Sequence, residues 1–337
     1  MTTLLRVKDL RTQFDVGGRI VHAVDGVSFE IERGEIVGIV GESGSGKSMT
    51  ALSALRLVPE PGRIAGGEIW FGDPGHERNV LEMSRDEIRD LRGQEIAMIF
   101  QDPMTSLNPV LRVGRQIEEA MDAHRRFSRD EARERVRPLL DRVRIPAAEE
   151  RAREYPHQFS GGMRQRAMIA MGLSNEPSLL IADEPTTALD VTVQAQIIEL
   201  LRSLNREHGM AIILITHNLA VVASLCTRII VMYAGRIAEE GPTRAIFQRP
   251  QHPYTWSLLR SIPRIDERRH DKLQSISGLP PDMTSLPEGC TFHPRCPFRE
   301  DRCVEQEPPL EDVEEGGHAA RCWVLMRNVQ APEEAAP

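Results

Sequence analysis

Residues 41–48, with the sequence GESGSGKS, combine three glycines with a lysine and a hydroxyl group. The glycines let the backbone turn with no Cβ in the way, so that loop N–H groups can converge on phosphate oxygens. Lys47 supplies a point charge for the β- and γ-phosphates of a nucleotide, and the Ser48 hydroxyl suits Mg²⁺. An apolar, β-branched run precedes the loop at 36–40, and a helix-forming run follows it at 50–57. A phosphate-binding P-loop requires this order of strand, loop and helix.

Two carboxylates stand at the end of another apolar run. Asp183 and Glu184 follow residues 179–182, which read as a buried strand. Site residues of α/β folds commonly lie at such strand ends. Asp183 can hold Mg²⁺ through water, and Glu184 is placed to polarise an attacking water. These residues predict hydrolysis of the bound nucleotide.

Three further side chains could complete the site, and each has an ordinary structural alternative. Gln101 ends the apolar run 96–100 and could ligate Mg²⁺ and orient water, or be a solvated strand end. His217 follows the apolar run 211–215 and could contact the γ-phosphate, or be structural. Phe14 precedes the P-loop in a polar stretch and could stack on adenine, or be a half-buried strand aromatic.

A second anion-binding loop is possible at Ser160-Gly161-Gly162, which stands before the apolar helical run 167–173. Backbone N–H groups at a helix start can bind an anion. The alternative is a helix cap with no ligand.

Four cysteines gather near the end of the chain, at Cys290, Cys296, Cys303 and Cys322. Four thiolates fit an iron–sulfur cluster or a structural zinc, and the lack of a tight C-x₂₋₄-C pair favours the cluster. The remaining alternative is an extension that holds no metal. Cys226 lies apart beside a strand, and we interpret it as an apolar filler.

Composition limits the classes of protein that remain. The chain has 337 residues with 40% hydrophobic and 27% charged residues, as in a soluble globular protein. The net charge of −8 gives no general attraction to nucleic acid. Apolar runs such as 211–215 are too short to span a bilayer, and residues 1–20 carry no signal-peptide pattern. We therefore expect a cytosolic protein, where reducing conditions argue against disulfides.

Local patterns predict the elements that position these groups. Residues 4–40 alternate apolar and polar residues around a Gly17-Gly18 turn and predict strands. Ser84 and Glu87 form a capping box at a helix start. Helical periodicity runs through 112–175.

The set of motifs resembles that of the ATP-binding subunits of ABC transporters. The matching parts are Gly41 to Ser48 as Walker A, Gln101 as the Q-loop, Ser160 to Gln165 as the signature, Leu179 to Glu184 as Walker B, Ala188 to Asp190 as the D-loop and His217 as the switch histidine. The signature reads SGGMRQ where the general form is LSGGQ, a variation common in importers.

A narrower resemblance is to the oligopeptide, dipeptide and nickel importer ATPases. It rests on residues 100–109, 155–166 and 252–255. The four-cysteine tail resembles one that this group links with a [4Fe–4S] cluster, and zinc is the less favoured metal.

The resemblance implies the roles of individual residues. Catalysis is assigned to Glu184 and His217. ATP binding is assigned to Phe14, Gly41, Glu42, Ser43, Gly44, Ser45, Gly46, Lys47, Ser48, Met49, Gln101, Ser160, Gly161, Gly162, Gln165 and Asp190. Mg²⁺ is assigned to Ser48, Gln101 and Asp183.

The resemblance also implies the fold, an α/β RecA-like P-loop NTPase core with an antiparallel β subdomain. An ABC ATPase domain at 1–245 would contain an inserted helical subdomain at about 93–175. A small extension with the four-cysteine site would occupy 246–337.

The implied partners are a second ABC ATPase subunit bound head to tail, either a paralogue or a second copy, and two integral membrane permease subunits. An extracytoplasmic binding protein would select the solute. The chain would lie on the cytoplasmic face of the inner membrane as a peripheral subunit. Peptide is the expected cargo, with nickel, glutathione or another small solute as alternatives. A soluble ABC ATPase that acts on ribosomes or DNA is the competing class, but such proteins carry two cassettes or a coiled-coil insertion, and this chain has one Walker A.

Overall fold

The computed structural model describes residues 2–101, 106–124, 127–261, 276–314 and 316–329. The chain divides into two compact units. The first unit consists of residues 82–215 with 1–3 and 31–36, and the second consists of 4–30, 37–81 and 216–337. The predicted division at residues 245 and 246 follows another criterion and stays a prediction.

The strands of the described residues are β1 Thr3–Val16, β2 Arg19–Glu32, β3 Ile36–Val40, β4 Gly62–Phe71, β5 Arg78–Asn79, β6 Ile96–Ile99, β7 Leu179–Asp183, β8 Ala211–Ile215, β9 Arg228–Tyr233, β10 Arg236–Pro242, β11 Glu311–Glu314 and β12 His318–Ala320. The helices are α1 Lys47–Ala54, α2 Arg85–Gln94, α3 Val113–Asp122, α4 Arg129–Arg142, α5 Ala148–Arg151, α6 Gly161–Gly172, α7 Val191–His208, α8 Leu219–Leu225, α9 Thr243–Gln248, α10 Pro253–Arg260 and α11 Asp301–Glu305.

In the second unit, the strand before the P-loop pairs with a strand far along the chain. All residues of β3 are buried, and the strand runs parallel to β9. A tight turn at Ala234 and Gly235, both with positive φ, joins β9 to the antiparallel β10. The C-terminal strand β12 then pairs with β10, and β11 pairs with β12. The C-terminal extension thus adds strands to the ladder that begins at β3.

A four-stranded sheet in the order β2-β1-β4-β5 precedes and follows the P-loop in sequence. Strand β1 runs antiparallel to β4, and β4 runs antiparallel to β5. The predicted strands and the Gly17-Gly18 turn of residues 4–40 are confirmed as β1 and β2. Alternating burial along both strands explains their sequence pattern.

In the first unit, β6, β7 and β8 run parallel to one another. Every residue of β7 and β8 is buried, as expected for parallel strands that are covered on both faces. Helices α3, α4 and α6 pack against one another. The predicted capping box of Ser84 and Glu87 starts α2, and the same device at Ser128 starts α4.

Candidate functional site

The P-loop of the second unit has a backbone that only glycine fits at two positions. Gly41 has a φ of 151°, and a Cβ there would lie 2.2 Å from the backbone oxygen of Met232. Gly46 has a φ of 98°, and a Cβ there would lie 2.4 Å from the backbone oxygen of Ala23. Helix α1 starts directly after Gly46. The loop therefore ends at a helix N-terminus, where backbone N–H groups favour a phosphate.

Lys47 is held across the start of the loop. The side chain is 7% exposed, and Nζ donates hydrogen bonds to the carbonyl oxygens of Gly41 at 2.9 Å and Glu42 at 2.8 Å. Ser48, the predicted Mg²⁺ ligand, is half-buried in the first turn of α1. The observed α1 begins at Lys47 and ends at Ala54, whereas the sequence predicted a helix over 50–57. The positive φ of Arg56 ends the helix early.

Sequence reasoning missed two residues that hold the second position of the loop. Arg295 forms an ion pair with the Glu42 carboxylate, and the Tyr254 hydroxyl accepts a hydrogen bond from the Glu42 backbone N–H. They lie 253 and 212 residues away along the chain. No short motif could have linked them to the P-loop.

In the first unit, the side chains of Glu184 and Gln101 form a hydrogen bond, a contact that the sequence analysis did not predict. The Nε2 of Gln101 donates to Oε2 of Glu184 at 3.0 Å, and the Thr187 hydroxyl donates to the same oxygen at 2.8 Å. Glu184 has a φ of 48°, and its N–H donates to the carbonyl of Ile215. A left-handed backbone is uncommon at a glutamate. Asp183 is the buried last residue of β7.

Two other predicted nucleotide contacts, His217 and Phe14, lie in ordinary structural positions. His217 is exposed and lies in the second unit, two residues before α8. Phe14 is half-buried on β1 opposite Gly62 of β4, and a Cβ at Gly62 would lie 2.5 Å from the Phe14 ring. The half-buried strand aromatic is therefore observed, and adenine stacking stays a prediction.

The Ser-Gly-Gly segment of the first unit begins α6. Ser160 is the N-cap, and its hydroxyl oxygen accepts from the N–H of Met163. A Cβ at Gly162 would lie 2.6 Å from the Val193 side chain, so glycine permits the close approach of α6 and α7. Gln165 is buried with 2% exposure. Ser160 thus caps α6, and anion binding by this segment stays a prediction.

Asp190, the predicted D-loop residue, is the N-cap of α7. Its Oδ1 accepts from the N–H of Val193 at 2.9 Å. This bond fixes the start of α7 at Val191.

The four C-terminal cysteines share one part of the second unit. All are free thiols, and the N–H of Cys290 donates to the carbonyl of Cys303 at 2.8 Å. Burial, together with the charges of neighbouring thiols, raises the pKa of Cys290 and Cys322, and raises that of Cys296 to about 11. Among the described residues, which include all four cysteines, no three His, Cys, Asp or Glu side chains are grouped to hold a metal ion. The predicted ligand set is therefore not assembled here.

The remaining cysteine, Cys226, is confirmed as an apolar filler. It is 7% exposed, and burial raises the pKa of its thiol to about 12. A Cβ at Gly38 of β3 would lie 3.1 Å from its sulfur atom. Across the described parts of the chain, none of the helices combines the length and apolar character needed to cross a bilayer.

Comparison with protein families gives two matches along the chain. The family model described as ABC transporter matches residues 24–187. The model described as oligopeptide/dipeptide transporter, C-terminal region, matches residues 238–303.

Similar proteins match nearly end to end. A probable peptide ABC transporter ATP-binding protein of Sinorhizobium fredii is 52% identical over 95% of this chain and 94% of its own length. The oligopeptide transport ATP-binding protein OppD of Bacillus subtilis is 47% identical over 99% of this chain and 93% of its own. OppD of Escherichia coli is 50% identical over 93% and 91%.

Among solved structures, the ATP-binding cassette MJ0796 in a dimeric post-hydrolysis state with ADP and Pi is similar, with a TM-score of 0.63 and 30% identity. The match covers 71% of this chain and 99% of that one. CbiO1 of Clostridium perfringens, part of the ABC transporter complex cbiONQ, gives a TM-score of 0.62 and 30% identity over 73% and 91%.

Proposed function

Since this chain belongs to the ATP-binding subunits of ABC transporters, in the oligopeptide and dipeptide branch, we propose that it hydrolyses ATP to energise import of peptides through a membrane permease. One observation carries the proposal: a P-loop cassette and a C-terminal region of the peptide-transporter type occur in one chain, and peptide-import relatives match both. The P-loop NTPase fold predicted from the sequence is confirmed by the likeness to solved cassettes.

ATP binding is assigned to the P-loop. The loop N–H groups and the start of α1 hold the phosphates, and Lys47 moves its ammonium from the carbonyls of Gly41 and Glu42 onto the β- and γ-phosphates. Ser48, Asp183 and Gln101 are the residues that would hold Mg²⁺, which would neutralise charge on the phosphates. Phe14 stacks on the adenine ring. The buried Lys47 ammonium, held beside the loop by the carbonyls of Gly41 and Glu42, supports this assignment.

Hydrolysis is assigned to Glu184. Its carboxylate polarises the attacking water, and Gln101 and Thr187 fix the position of the same carboxylate oxygen. His217 contacts the γ-phosphate. The contact of Gln101 with Glu184 supports a joint role, because one amide can both position the base and respond to Mg²⁺.

Two cassettes are proposed to enclose each ATP head to tail. The P-loop of one would face Ser160-Gly161-Gly162 of the other, so that ATP bridges the closed dimer and hydrolysis removes the bridge. The similar cassette MJ0796 is dimeric in its ADP- and Pi-bound structure, which supports this arrangement. The partner is a paralogue or a second copy, and the pair would drive two permease subunits from the cytoplasmic face of the membrane.

Peptide is the proposed cargo because the relatives are named for peptide import. A binding protein outside the membrane and the permease would select it. Nickel or glutathione, carried by the same machinery, is the alternative.

The four C-terminal cysteines are proposed to hold a [4Fe–4S] cluster. Four soft thiols in the second unit match the donor set of such a cluster in number and chemistry. Binding would have to draw them together, because they are not grouped as metal ligands among the described residues. When bound, the cluster would cross-link the Cys290–Cys303 loop to Cys322. Iron and acid-labile sulfide assays after anaerobic purification test it. Zinc in their place, or iron-free colourless protein, would refute it.

Transport is tested with the chain, its permease, partner cassette and binding protein reconstituted in liposomes. We expect ATP-dependent uptake of labelled peptide, and loss of that uptake with Lys47→Ala in this chain. Uptake of nickel or glutathione but not peptide would favour the alternative cargo. ATP hydrolysis that is insensitive to permease and binding protein would contradict transport coupling.

A further inference from the structure

We propose that the C-terminal extension sets the geometry of the P-loop, with Arg295 and Tyr254 as positioning residues for ATP binding. This rests on the proposed function, because it assumes that the P-loop binds ATP. Neither residue belongs to the nucleotide motifs, and both lie in residues 246–337.

The two residues hold one residue of the P-loop, Glu42, at separate atoms. The guanidinium of Arg295 donates from Nη1 to Oε2 of Glu42 at 2.6 Å and from Nη2 to Oε1 at 3.0 Å. Such a two-point contact fixes orientation as well as distance. The Tyr254 hydroxyl accepts from the Glu42 N–H at 2.8 Å. Side chain and backbone of the same loop residue are therefore both anchored in the extension.

The anchors themselves are rigid. Tyr254 is fully buried in the first turn of α10. Its ring lies 4.6 Å from that of Tyr233 and 5.4 Å from that of Phe292, centroid to centroid. The Arg295 side chain is 5% exposed, and its Nε donates to the carbonyl of Ser277 at 3.0 Å. Because these groups are locked by packing, they impose a position on the loop rather than follow it.

Glu42 passes this constraint to the lysine that binds phosphate. Its carbonyl oxygen accepts from Nζ of Lys47, while its N–H and carboxylate are held by the extension. A change in the position of Glu42 therefore moves the acceptor that aims the ammonium. If release of Glu42 lowers the binding-competent population of the loop to about a tenth, the apparent Kd for ATP rises about tenfold.

The alternative is that the ion pair of Arg295 and Glu42 only stabilises the fold. Two features separate the alternatives. If the pair only stabilises the fold, breaking it should lower the unfolding temperature and leave ATP affinity unchanged. If it positions the loop, breaking it should weaken ATP binding in every variant that folds. If the pair positions the loop, the losses of ATP affinity in the Arg295 and Glu42 variants should not be additive, because each variant releases the same contact.

The test is calorimetric titration of full-length protein with MgATP. We expect Arg295→Met to weaken ATP binding about tenfold, Tyr254→Phe to weaken it at least threefold, and the double variant Glu42→Gln/Arg295→Met to be no weaker than Arg295→Met alone. The matched control is Arg299→Met, which removes an exposed arginine of the same loop and should bind as wild type. Lys47→Ala should lose binding altogether.

Each outcome decides one question. Arg295→Met and Tyr254→Phe proteins that bind within twofold of wild type overturn the inference while leaving the proposed function intact. Lys47→Ala protein that still binds ATP contradicts the proposed function instead. If Arg295→Met fails to fold, Tyr254→Phe decides, because it removes one hydroxyl and keeps the ring contacts. An equal loss in Arg299→Met would also overturn the inference, since it would show a general charge effect.

Discussion

A single buried carboxylate, Glu239, ties the C-terminal extension to β10, and its replacement by glutamine gives a sharp test of that tie. Glu239 is 0% exposed. Oε1 accepts from the N–H of Gln251 at 2.6 Å and lies 2.7 Å from Nε2 of His318. Oε2 accepts from the N–H of His252 at 2.9 Å. Glu239→Gln keeps the shape of the side chain but turns one of these acceptors into a donor.

The cost follows from the bonds that are lost. In the better rotamer the new amide group faces the N–H of His252, so one buried donor loses its acceptor, at about 1–3 kcal/mol. The other two bonds lose the charge of the acceptor, which makes bonds to carboxylates about twice as strong as neutral ones. Relief of the buried charge offsets part of this loss. We expect a net destabilisation of about 3 kcal/mol, which is about 4 °C in Tm for a chain of 337 residues.

The assay combines thermal unfolding with hydrogen exchange of the amides of residues 251–256. We expect faster exchange there in Glu239→Gln, because the start of α10 loses its anchor. The matched control is Glu311→Gln, the same change at an exposed position of β11, which should leave Tm and exchange unchanged. A loss below about 1 kcal/mol, with unchanged exchange at 251–256, would refute the reasoning.

Three further predictions follow from other contacts. Burial lowers the pKa of His252 from 6.5 to about 4. Between these values the unfolded chain binds more protons than the folded chain, so stability falls as the pH falls through that window. His252→Asn should reduce the pH dependence of the free energy of unfolding by up to about 3 kcal/mol, measured as the difference between pH 7 and pH 4.5. Gly162→Ala places a methyl 2.6 Å from Val193 and should cost about 1–3 kcal/mol of stability together with ATPase turnover, and wild-type values in both assays would contradict it. Gly41→Ala places a Cβ 2.2 Å from the oxygen of Met232 and should abolish ATP binding measured by titration; retained affinity would show that the loop can shift.

Much of the nucleotide site could be predicted because its chemistry is local in sequence. The P-loop depends on positive φ at closely spaced glycines and on a helix that starts next to them. Both features can be recognised from the eight consecutive residues 41–48. The sequence marked Gln101 and Glu184 separately as strand-end candidates, and only the pairing of the adjacent parallel strands β6 and β7 shows that the two side chains meet.

The links between the extension and the P-loop could not be predicted in this way. The pair of Arg295 and Glu42 joins residues 253 positions apart, and nothing in either local string specifies the other. The buried hydrogen bonds of Glu239 could not be predicted from the sequence either, because the residue looks like an ordinary polar position of a hairpin strand. The cysteines are the opposite case, because their number and spacing suggested a ligand set that the described residues do not bring together, and the cluster stays a proposal.

The central claim is that ATP bridges two cassettes and that its hydrolysis lets them part. The most direct measurement is a structure of the whole transporter assembly with ATP and the Glu184→Gln variant, in which turnover should fall by about 10²–10⁴-fold. We expect ATP on the P-loop of this chain, with its γ-phosphate within hydrogen-bond distance of the Ser-Gly-Gly segment of the neighbouring cassette. ATP enclosed by one chain only, with Ser160-Gly161-Gly162 directed away from the neighbour's nucleotide, would contradict the claim.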